Sequence, residues 1–297
     1  MNLNNPMARG MPSNRLVAES YGNELRRAIT EREIIPFIGV YDVFSASIAA
    51  RHYDGLFISG FSFAASFYGL PDIGFISWSD IAAYVQRVRT LLPKPHIIVD
   101  IDDGYCDTEV ACHVTSLLES MGASAIVLED QLRPRQCGHY EGKQIMLMDD
   151  YLHKLERVLA SRQSLFVVAR TDAVDPDEAS KRAIAYANVG ADAVLVEAVK
   201  DLDILKDLAQ ALPCPILFNQ IAGGKSPSFT LAELKQAGVQ LVNYSTPCLF
   251  AAQSALEKSM LDLSASDGKL PEHSADHVDL GQCTTLLNNN LNQCADK

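Results

Sequence analysis

The stretch LFVVARTDAVDPDEASKRAIAYANVGADAVLV, residues 165–196, decides the fold of this chain. It opens with an apolar run, 165–169, which has the length and composition of a buried strand. Residues 177–189 follow with apolar side chains at helical spacing, and Gly190 stands where a helix commonly ends. A second apolar run, 193–196, completes a strand–helix–strand unit. Such a unit joins two parallel strands of one sheet.

The same pattern repeats along the chain. Eight runs of strand length alternate with helical segments: residues 35–40, 55–58, 96–99, 125–128, 165–169, 193–196, 216–218 and 240–243. Eight such units can close on themselves, so the sequence predicts a (β/α)₈ TIM barrel. An open doubly wound sheet is the alternative, but no GxGxxG motif follows the first run. We expect a flexible tail at 1–20, the barrel at 21–262 and a helical or disordered tail at 263–297.

Composition narrows the class of protein. A net charge of −12 over 297 residues argues against a nucleic-acid partner, because no basic surface is available to bind phosphates. The seven cysteines contain no CxxC pair, which is typical of reduced thiols in the cytoplasm. Residues 1–20 are polar, which disfavours a signal peptide or membrane span there. We therefore expect a cytoplasmic protein with no membrane partner.

Polar residues follow the predicted strands at the end where barrel enzymes carry their catalytic groups. Several of them are carboxylates, and clustered carboxylates repel one another unless a cation joins them. The candidates at these strand ends are Ser59, Gly60, Asp100, Asp102, Glu129, Arg170, Glu197 and Asn219.

Asp100, Asp102 and Glu129 are the predicted metal ligands. The two aspartates are two residues apart on an extended segment, so both can face the barrel mouth. Together with Glu129 they offer only oxygen atoms, which suits Mg²⁺ or Mn²⁺ and does not suit zinc. Capping of the loop is the alternative role for the aspartates.

The loop after the fourth run contains Arg135-Gln-Cys137-Gly-His139. A thiol flanked by Arg and His can have a lowered pKa and exchange protons with a substrate. An inert buried cysteine is the alternative. The polar loop favours a role for Cys137 as proton donor or acceptor.

At these positions the sequence resembles the isocitrate lyase and phosphoenolpyruvate mutase superfamily, over roughly residues 23–257. The cysteine loop points to the lyase branch, although carboxyphosphonoenolpyruvate mutases share it, together with EGK at 141–143 and GGKSP at 223–227 in close form. The motifs that carry the resemblance are SG at 59–60, GLPDIG at 69–74, DIDDGY at 100–105, EDQ at 129–131, CGH at 137–139, ARTDA at 169–173, EA at 197–198 and Asn219.

The resemblance implies a Mg²⁺-dependent enzyme acting on a small carboxylate. Ser59, Gly60 and Arg170 would hold a 2-oxo carboxylate, and Cys137 would protonate the departing carbanion. Glu197 would join Cys137 and Arg170 as a catalytic residue and, with Asn219, orient the substrate. The resemblance further assigns substrate contacts to Phe61, Asp72, Gly138 and His139. It also implies a homotetramer in which the last barrel helix is swapped between subunits.

Four departures from the family pattern stand out. Arg135 replaces a usual Lys, Phe250 replaces an Arg that binds an extra carboxylate, Ala222 replaces an acidic residue, and YSTP at 244–247 replaces Tyr-Pro-Leu-Ser. We interpret them as changes on the substrate side that leave the metal side intact, with Arg135 as a possible replacement for the missing positive charge.

The leading hypothesis is a carbon–carbon lyase for a small 2-hydroxy dicarboxylate, malate-like or methylisocitrate-like, that releases a 2-oxo acid. A phosphonomutase of the carboxyphosphonoenolpyruvate type is one alternative. A repurposed barrel without turnover is the other.

Overall fold

The computed structural model describes residues 20–139, 142–270 and 278–295. Eight strands form one parallel sheet: β1 (Ile35–Val40), β2 (Gly55–Ile58), β3 (His96–Asp100), β4 (Ala125–Glu129), β5 (Phe166–Thr171), β6 (Ala193–Val196), β7 (Leu217–Gln220) and β8 (Leu241–Tyr244). Their order is β6-β5-β4-β3-β2-β1-β8-β7. A parallel bridge between Val194 and Ile216 joins β6 to β7, so the sheet closes. The predicted (β/α)₈ barrel is confirmed.

Helices connect the strands and surround the sheet. They are α1 (Tyr21–Glu31), α2 (Val43–Ala49), α3 (Gly60–Phe63), α4 (Trp78–Leu91), α5 (Thr108–Ser120), α6 (Met148–Ser161), α7 (Pro176–Val189), α8 (Leu202–Ala211), α9 (Leu231–Gln236), α10 (Pro247–Ala265) and α11 (Leu280–Ala295). A single π-helical turn, Ala64–Tyr68, continues α3. The helix predicted at 177–189 is α7, and it ends at Gly190 with a φ of 110° that favours glycine.

Several strands extend beyond the apolar runs at their carboxyl ends. Asp100 still pairs with Val127, and Glu129 still pairs with Arg170. The backbone hydrogen bonds between the strands thus continue for one or two residues beyond the apolar run, into the polar residues. The sheet itself therefore holds Asp100, Glu129 and Arg170, whereas other predicted site residues follow the strand ends or lie in the connecting loops.

Alternation along the strands decides which side chains enter the barrel. Phe37, Phe57, Ile98, Val127 and Leu195 belong to the buried cluster inside the barrel, while the residues between them pack against the helices. The same alternation directs Asp100, Glu129 and Glu197 into the barrel. Each of them lies two residues after an inward-facing residue: Ile98, Val127 and Leu195, respectively. The barrel interior is thus apolar below and charged at its carboxyl-terminal mouth.

The described residues include only part of the two predicted tails. The predicted tail at 1–20 falls almost entirely outside the described residues, as do 271–277 within the predicted tail at 263–297. Helix α10 contributes no buried residue in the single chain, and Leu256, Met260 and Leu261 are exposed along it. Helix α11 packs against α4. None of the helices that the structure describes is long and apolar enough to cross a bilayer.

Candidate active site

A pocket opens at the carboxyl-terminal mouth of the barrel, which we call the reaction pocket. Most of the residues predicted for catalysis and substrate binding line it. Its lining comprises Phe57, Ser59, Phe61, Asp72, Asp100, Val127, Arg135, Cys137, Gly138, His139, Arg170, Leu195, Glu197, Asn219, Ile221, Asn243 and Ser245. The remaining predicted residues, Gly60, Asp102 and Glu129, are buried.

Arg135 lies at the centre of a buried group of carboxylates. Its Nη1 is 2.5 Å from Asp72 Oδ1, its Nη2 is 3.0 Å from Asp102 Oδ1, and its Nε donates to Glu129 Oε1 at 3.0 Å. The guanidinium therefore contacts two of the three predicted metal ligands. The interpretation that the departures leave the metal side intact is wrong for Arg135, because its guanidinium pairs with these carboxylates although the residue also lines the reaction pocket.

The carboxylates converge next to Gly60. A β-carbon at Gly60 would lie 3.3 Å from both Asp100 Oδ2 and Asp102 Oδ1 and 3.7 Å from Asp72 Oδ1. Glycine is needed here because a side chain would fill the space between these oxygens. Glu129 Oε2 is buried without a hydrogen bond, and its nearest cation is Arg170 Nη2 at 3.5 Å.

Burial makes these carboxylates costly to ionise. Desolvation raises the pKa of Asp100 against the opposing effect of Arg170 and Arg135, and it raises the pKa of Asp102 well above its usual value against that of Arg135. Burial likewise raises the pKa of Glu129 to about 7, although Arg135 and Arg170 favour its charged form. The four carboxyl groups of the cluster outnumber the two arginines that contact them, so burial favours the protonated form of some of these groups when no further cation is bound.

The cluster fits a hard divalent cation by its chemistry. It offers only oxygen donors, three of which converge, and a bound cation would offset the burial that opposes their ionisation. In the part of the chain that the structure describes, no three His, Cys, Asp or Glu side chains are already arranged to hold a metal. The guanidinium of Arg135 accounts for this, because it holds Asp72, Asp102 and Glu129 around itself.

Arg170 extends from β5 into the reaction pocket. Its Nε donates to Asp172 Oδ2 at 2.8 Å, and its Nη1 is 3.4 Å from Glu197 Oε2. Lys143 Nζ donates to Asp172 Oδ1 at 2.8 Å and to the Gly138 carbonyl at 2.5 Å. Burial opposes ionisation of Asp172, but Arg170 and Lys143 lower its pKa to about 2. Arg170 is thereby held in place as a permanent cation.

The EGK motif, residues 141–143, follows the cysteine loop. Lys143 belongs to the EGK motif, and its contact with the Gly138 carbonyl ties the cysteine loop to β5, a role the sequence analysis missed. Glu141 of the same motif lies outside the described residues.

Cys137 is half-buried at the pocket wall. Burial raises its pKa to about 11, so the side chain is a thiol and not a thiolate at neutral pH. The lowered pKa expected from the flanking Arg and His is wrong, because Arg135 turns to the carboxylates and burial dominates. Gly138 packs closely on Arg170, since a β-carbon there would lie 2.2 Å from Arg170 Nη2. A protonated thiol thus sits beside the cationic wall of the pocket.

A chain of polar contacts crosses the opposite wall. His139 Nε2 is 2.8 Å from Glu197 Oε1, and its Nδ1 accepts from the Lys225 backbone N–H, which places the proton on Nε2. Asn219 Nδ2 donates to Glu197 Oε1 at 3.1 Å, and Ser245 Oγ donates to Asn219 Oδ1 at 2.5 Å. Burial disfavours the charged form of Glu197, yet Arg170 and His139 lower its pKa.

Ser245 is a site residue that the sequence analysis missed. The alternation of β8 could have found it, because Leu241 and Asn243 face inward and Ser245 is the next residue in that period.

Ser59 and Phe61 form the wall that β2 contributes. Ser59 is buried and its Oγ caps α3 by accepting from the Ser62 N–H at 3.3 Å. Phe61 meets Phe250 edge to face, with ring centroids 6.3 Å apart. Phe250 in turn lines an adjoining cavity of about 420 Å³, between the β7–α9 connection and α10, which shares Ile221 with the reaction pocket.

Comparison with known proteins gives a consistent result. The family model of phosphoenolpyruvate phosphomutase matches residues 25–263. A 2-methylisocitrate lyase of Aeropyrum pernix is 31% identical over 82% of this chain and 80% of its own length. The chloroplastic carboxyvinyl-carboxyphosphonate phosphorylmutase of Arabidopsis thaliana is 34% identical over 77% of this chain and 70% of its own.

The solved structures agree with the sequence relatives. A crystal structure of 2,3-dimethylmalate lyase, described as a PEP mutase/isocitrate lyase superfamily member, superimposes with a TM-score of 0.85 at 26% identity. The superposition covers 92% of this chain and 94% of that one. The chain therefore belongs to the phosphoenolpyruvate phosphomutase family, within the PEP mutase/isocitrate lyase superfamily.

Proposed function

We propose that this protein cleaves a carbon–carbon bond in a small 2-hydroxy dicarboxylate and releases a 2-oxo acid. The observation that carries the proposal is the pairing of a protonated thiol, Cys137, with the cationic Arg170 in one pocket above buried carboxylates. Relatives named 2-methylisocitrate lyase and 2,3-dimethylmalate lyase support the same reaction class.

The carboxylate cluster supports a requirement for Mg²⁺, with Mn²⁺ as a substitute. Asp100 and Asp102, whose oxygens converge next to Gly60, would hold the ion together with Glu129, whose Oε2 is buried without a hydrogen bond. When bound, it would polarise the 2-oxo group and stabilise negative charge that develops there.

The side chains of this chain supply the rest of the reaction. Arg170, with Ser59 and Gly60, binds the carboxylate of the 2-oxo fragment, and Glu197 with Asn219 orients the other fragment. As the bond breaks, the hydroxyl group passes its proton to an ionised carboxylate of the pocket, for which Glu197 is the candidate, and becomes the carbonyl of the 2-oxo acid. The electron pair of the bond moves to the departing carbon, where the Cys137 thiol donates a proton. A thiol that stays protonated at neutral pH suits this role.

A phosphonomutase of the carboxyphosphonoenolpyruvate type is the second candidate. It is favoured by the 34% identity to the plant carboxyvinyl-carboxyphosphonate phosphorylmutase. A mutase has no departing carbanion of a separate acid, so its turnover should depend less on the Cys137 thiol.

The decisive experiment measures release of pyruvate or glyoxylate from a panel of malates and methylisocitrate, and conversion of carboxyphosphonoenolpyruvate, with and without EDTA. We expect release of a 2-oxo acid from at least one 2-hydroxy dicarboxylate, abolished by EDTA and restored by Mg²⁺. Conversion of the phosphonate alone would replace the lyase proposal with the mutase. Activity that EDTA leaves unchanged would contradict the proposed requirement for Mg²⁺.

We also propose a cytoplasmic homotetramer with α10 swapped between subunits. In the single chain α10 buries none of its residues, and an apolar cavity of about 510 Å³ lies between it and α2. The six cysteines whose side chains the structure describes are free, which suits a reducing compartment. Sedimentation equilibrium should give four times the chain mass of 32.4 kDa. A monomer would contradict the swap.

A further inference from the structure

Arg135 makes an unusual set of contacts for a loop residue. It is almost fully buried and touches carboxylates from three parts of the fold: Asp72 before α4, Asp102 after β3 and Glu129 at the end of β4. All three nitrogens of its guanidinium are engaged in these pairs. Its guanidinium is therefore bound to the cluster, although the residue also forms part of the lining of the reaction pocket.

The oxygens that Arg135 holds are the same oxygens that converge next to Gly60. Asp72 Oδ1 and Asp102 Oδ1 contact the guanidinium, and both also approach the point that Asp100 Oδ2 approaches. A cation held at that point would share two of its oxygens with Arg135. Two positive charges that share ligand oxygens in a buried site repel each other strongly.

We propose that Arg135 and the divalent cation compete for this cluster. In the metal-free protein the guanidinium serves as the resident cation of the carboxylates. Binding of the ion withdraws it, at least in part, and so shifts Cys137, which is two residues further along the loop. The proposal rests on the proposed function only for the identity of the ion, and it makes Arg135 a positioning residue for the thiol.

The first test titrates Mn²⁺ and follows the electron paramagnetic resonance signal of the free ion. We expect Arg135→Gln to bind Mn²⁺ about tenfold more tightly than the wild type, a coupling within the range typical of linked sites. Arg133→Gln is the matched control. It removes an arginine from the same loop, but Arg133 pairs with Asp103, which lies outside the cluster, so affinity should stay at the wild-type value.

Arg135→Lys is a second variant that allows the test even if Arg135→Gln does not fold. Lysine keeps a cation but cannot pair with three carboxylates at once, so it should tighten Mn²⁺ binding by a smaller factor. Circular dichroism melting confirms which variants are folded. Equal or weaker Mn²⁺ binding in folded Arg135 variants, relative to Arg133→Gln, would overturn the competition and show that the arginine organises the site for the ion.

The second test measures whether binding of Mn²⁺ changes the accessibility of Cys137 in the loop between β4 and α6. The rate of Cys137 alkylation by iodoacetamide is followed by mass spectrometry of its peptide, with and without saturating Mn²⁺. In the wild type Mn²⁺ should raise this rate several-fold, whereas in Arg135→Gln the rate should not depend on Mn²⁺. A wild-type rate that ignores bound Mn²⁺ would overturn the coupling to Cys137.

These measurements separate the proposal from the proposed function. Lyase turnover together with equal Mn²⁺ affinities would overturn the competition and leave the lyase standing. Tighter Mn²⁺ binding in Arg135→Gln, without turnover of any substrate in the panel, would support the competition and remove the lyase.

Discussion

Phe250 should prevent this enzyme from using a tricarboxylate such as 2-methylisocitrate efficiently. Its ring meets Phe61 of the reaction pocket edge to face, and it lines the adjoining cavity of about 420 Å³. None of the residues lining that cavity is charged. A third carboxylate placed there would lose water and find no cation. We therefore expect Phe250→Arg to supply the missing cation and to allow the enzyme to use a tricarboxylate.

The size of the effect follows from the missing counter-charge. Leaving a polar group buried and unpaired costs about 3 kcal/mol, and a charge costs at least as much, so kcat/KM for the tricarboxylate should be lower by roughly 100-fold. Arg135 does not offset this cost, because its three nitrogens already pair with Asp72, Asp102 and Glu129. An alkyl substituent, in contrast, would gain about 25 cal/mol per Å² of area buried against the two rings.

The assay compares kcat/KM for 2-methylisocitrate, 2,3-dimethylmalate and oxaloacetate in the wild type, Phe250→Arg and Phe250→Leu. We expect the wild type to prefer the dicarboxylates and Phe250→Arg to shift preference towards the tricarboxylate. Phe250→Leu keeps the apolar character and should keep the preference. A wild-type preference for 2-methylisocitrate would refute the reasoning and require another cation near the cavity.

Three further predictions concern the pocket. Cys137→Ser should lower kcat by about 100-fold while KM changes little, as expected for loss of a general acid, and near-normal turnover would make the thiol structural. Asp102→Ala should abolish calorimetric binding of Mg²⁺ with oxalate while the melting temperature is maintained; unchanged binding would exclude Asp102 from the metal site. The lowered pKa of Asp172, about 2, stabilises the folded state above the ordinary value near 4, and this contribution is lost as pH falls towards 2. Asp172→Asn should accordingly be less stable at neutral pH and show a smaller change in unfolding free energy over that acid range, measured by urea titration, whereas an unchanged acid dependence would mean that Arg170 and Lys143 do not lower this pKa.

The fold could be predicted from the sequence because the patterns that indicate it are local. Each strand is a short apolar run, and the period of two along it also decides which side chain enters the barrel mouth. The inward positions of Asp100, Glu129 and Glu197 follow from that period. Ser245 was accessible in the same way, since it continues the inward series of β8.

The direction of loop side chains was not accessible from the sequence. Arg135 and Lys143 lie between β4 and α6, where no repeating backbone geometry orients a side chain. Their contacts depend on carboxylates that are distant in the sequence, 63 residues away for Asp72 and 29 for Asp172. The same applies to Cys137, because burial in the folded structure raises its pKa by more than its sequence neighbour His139 lowers it.

The arrangement of the mouth explains how such a barrel can change its substrate without losing its activation chemistry. The cluster of Asp100 and Glu129 stands on β3 and β4, whereas Asn219 and Ser245 stand on β7 and just after β8. Strands β7 and β8 lie across the barrel from β4 in the sheet order, so substitutions there reshape the wall that faces the departing fragment. Phe250, at the start of α10, belongs to that wall. Arg135 is the exception, because it departs from the family pattern at the cluster itself, and its effect should therefore appear in cation affinity and not in the choice of substrate.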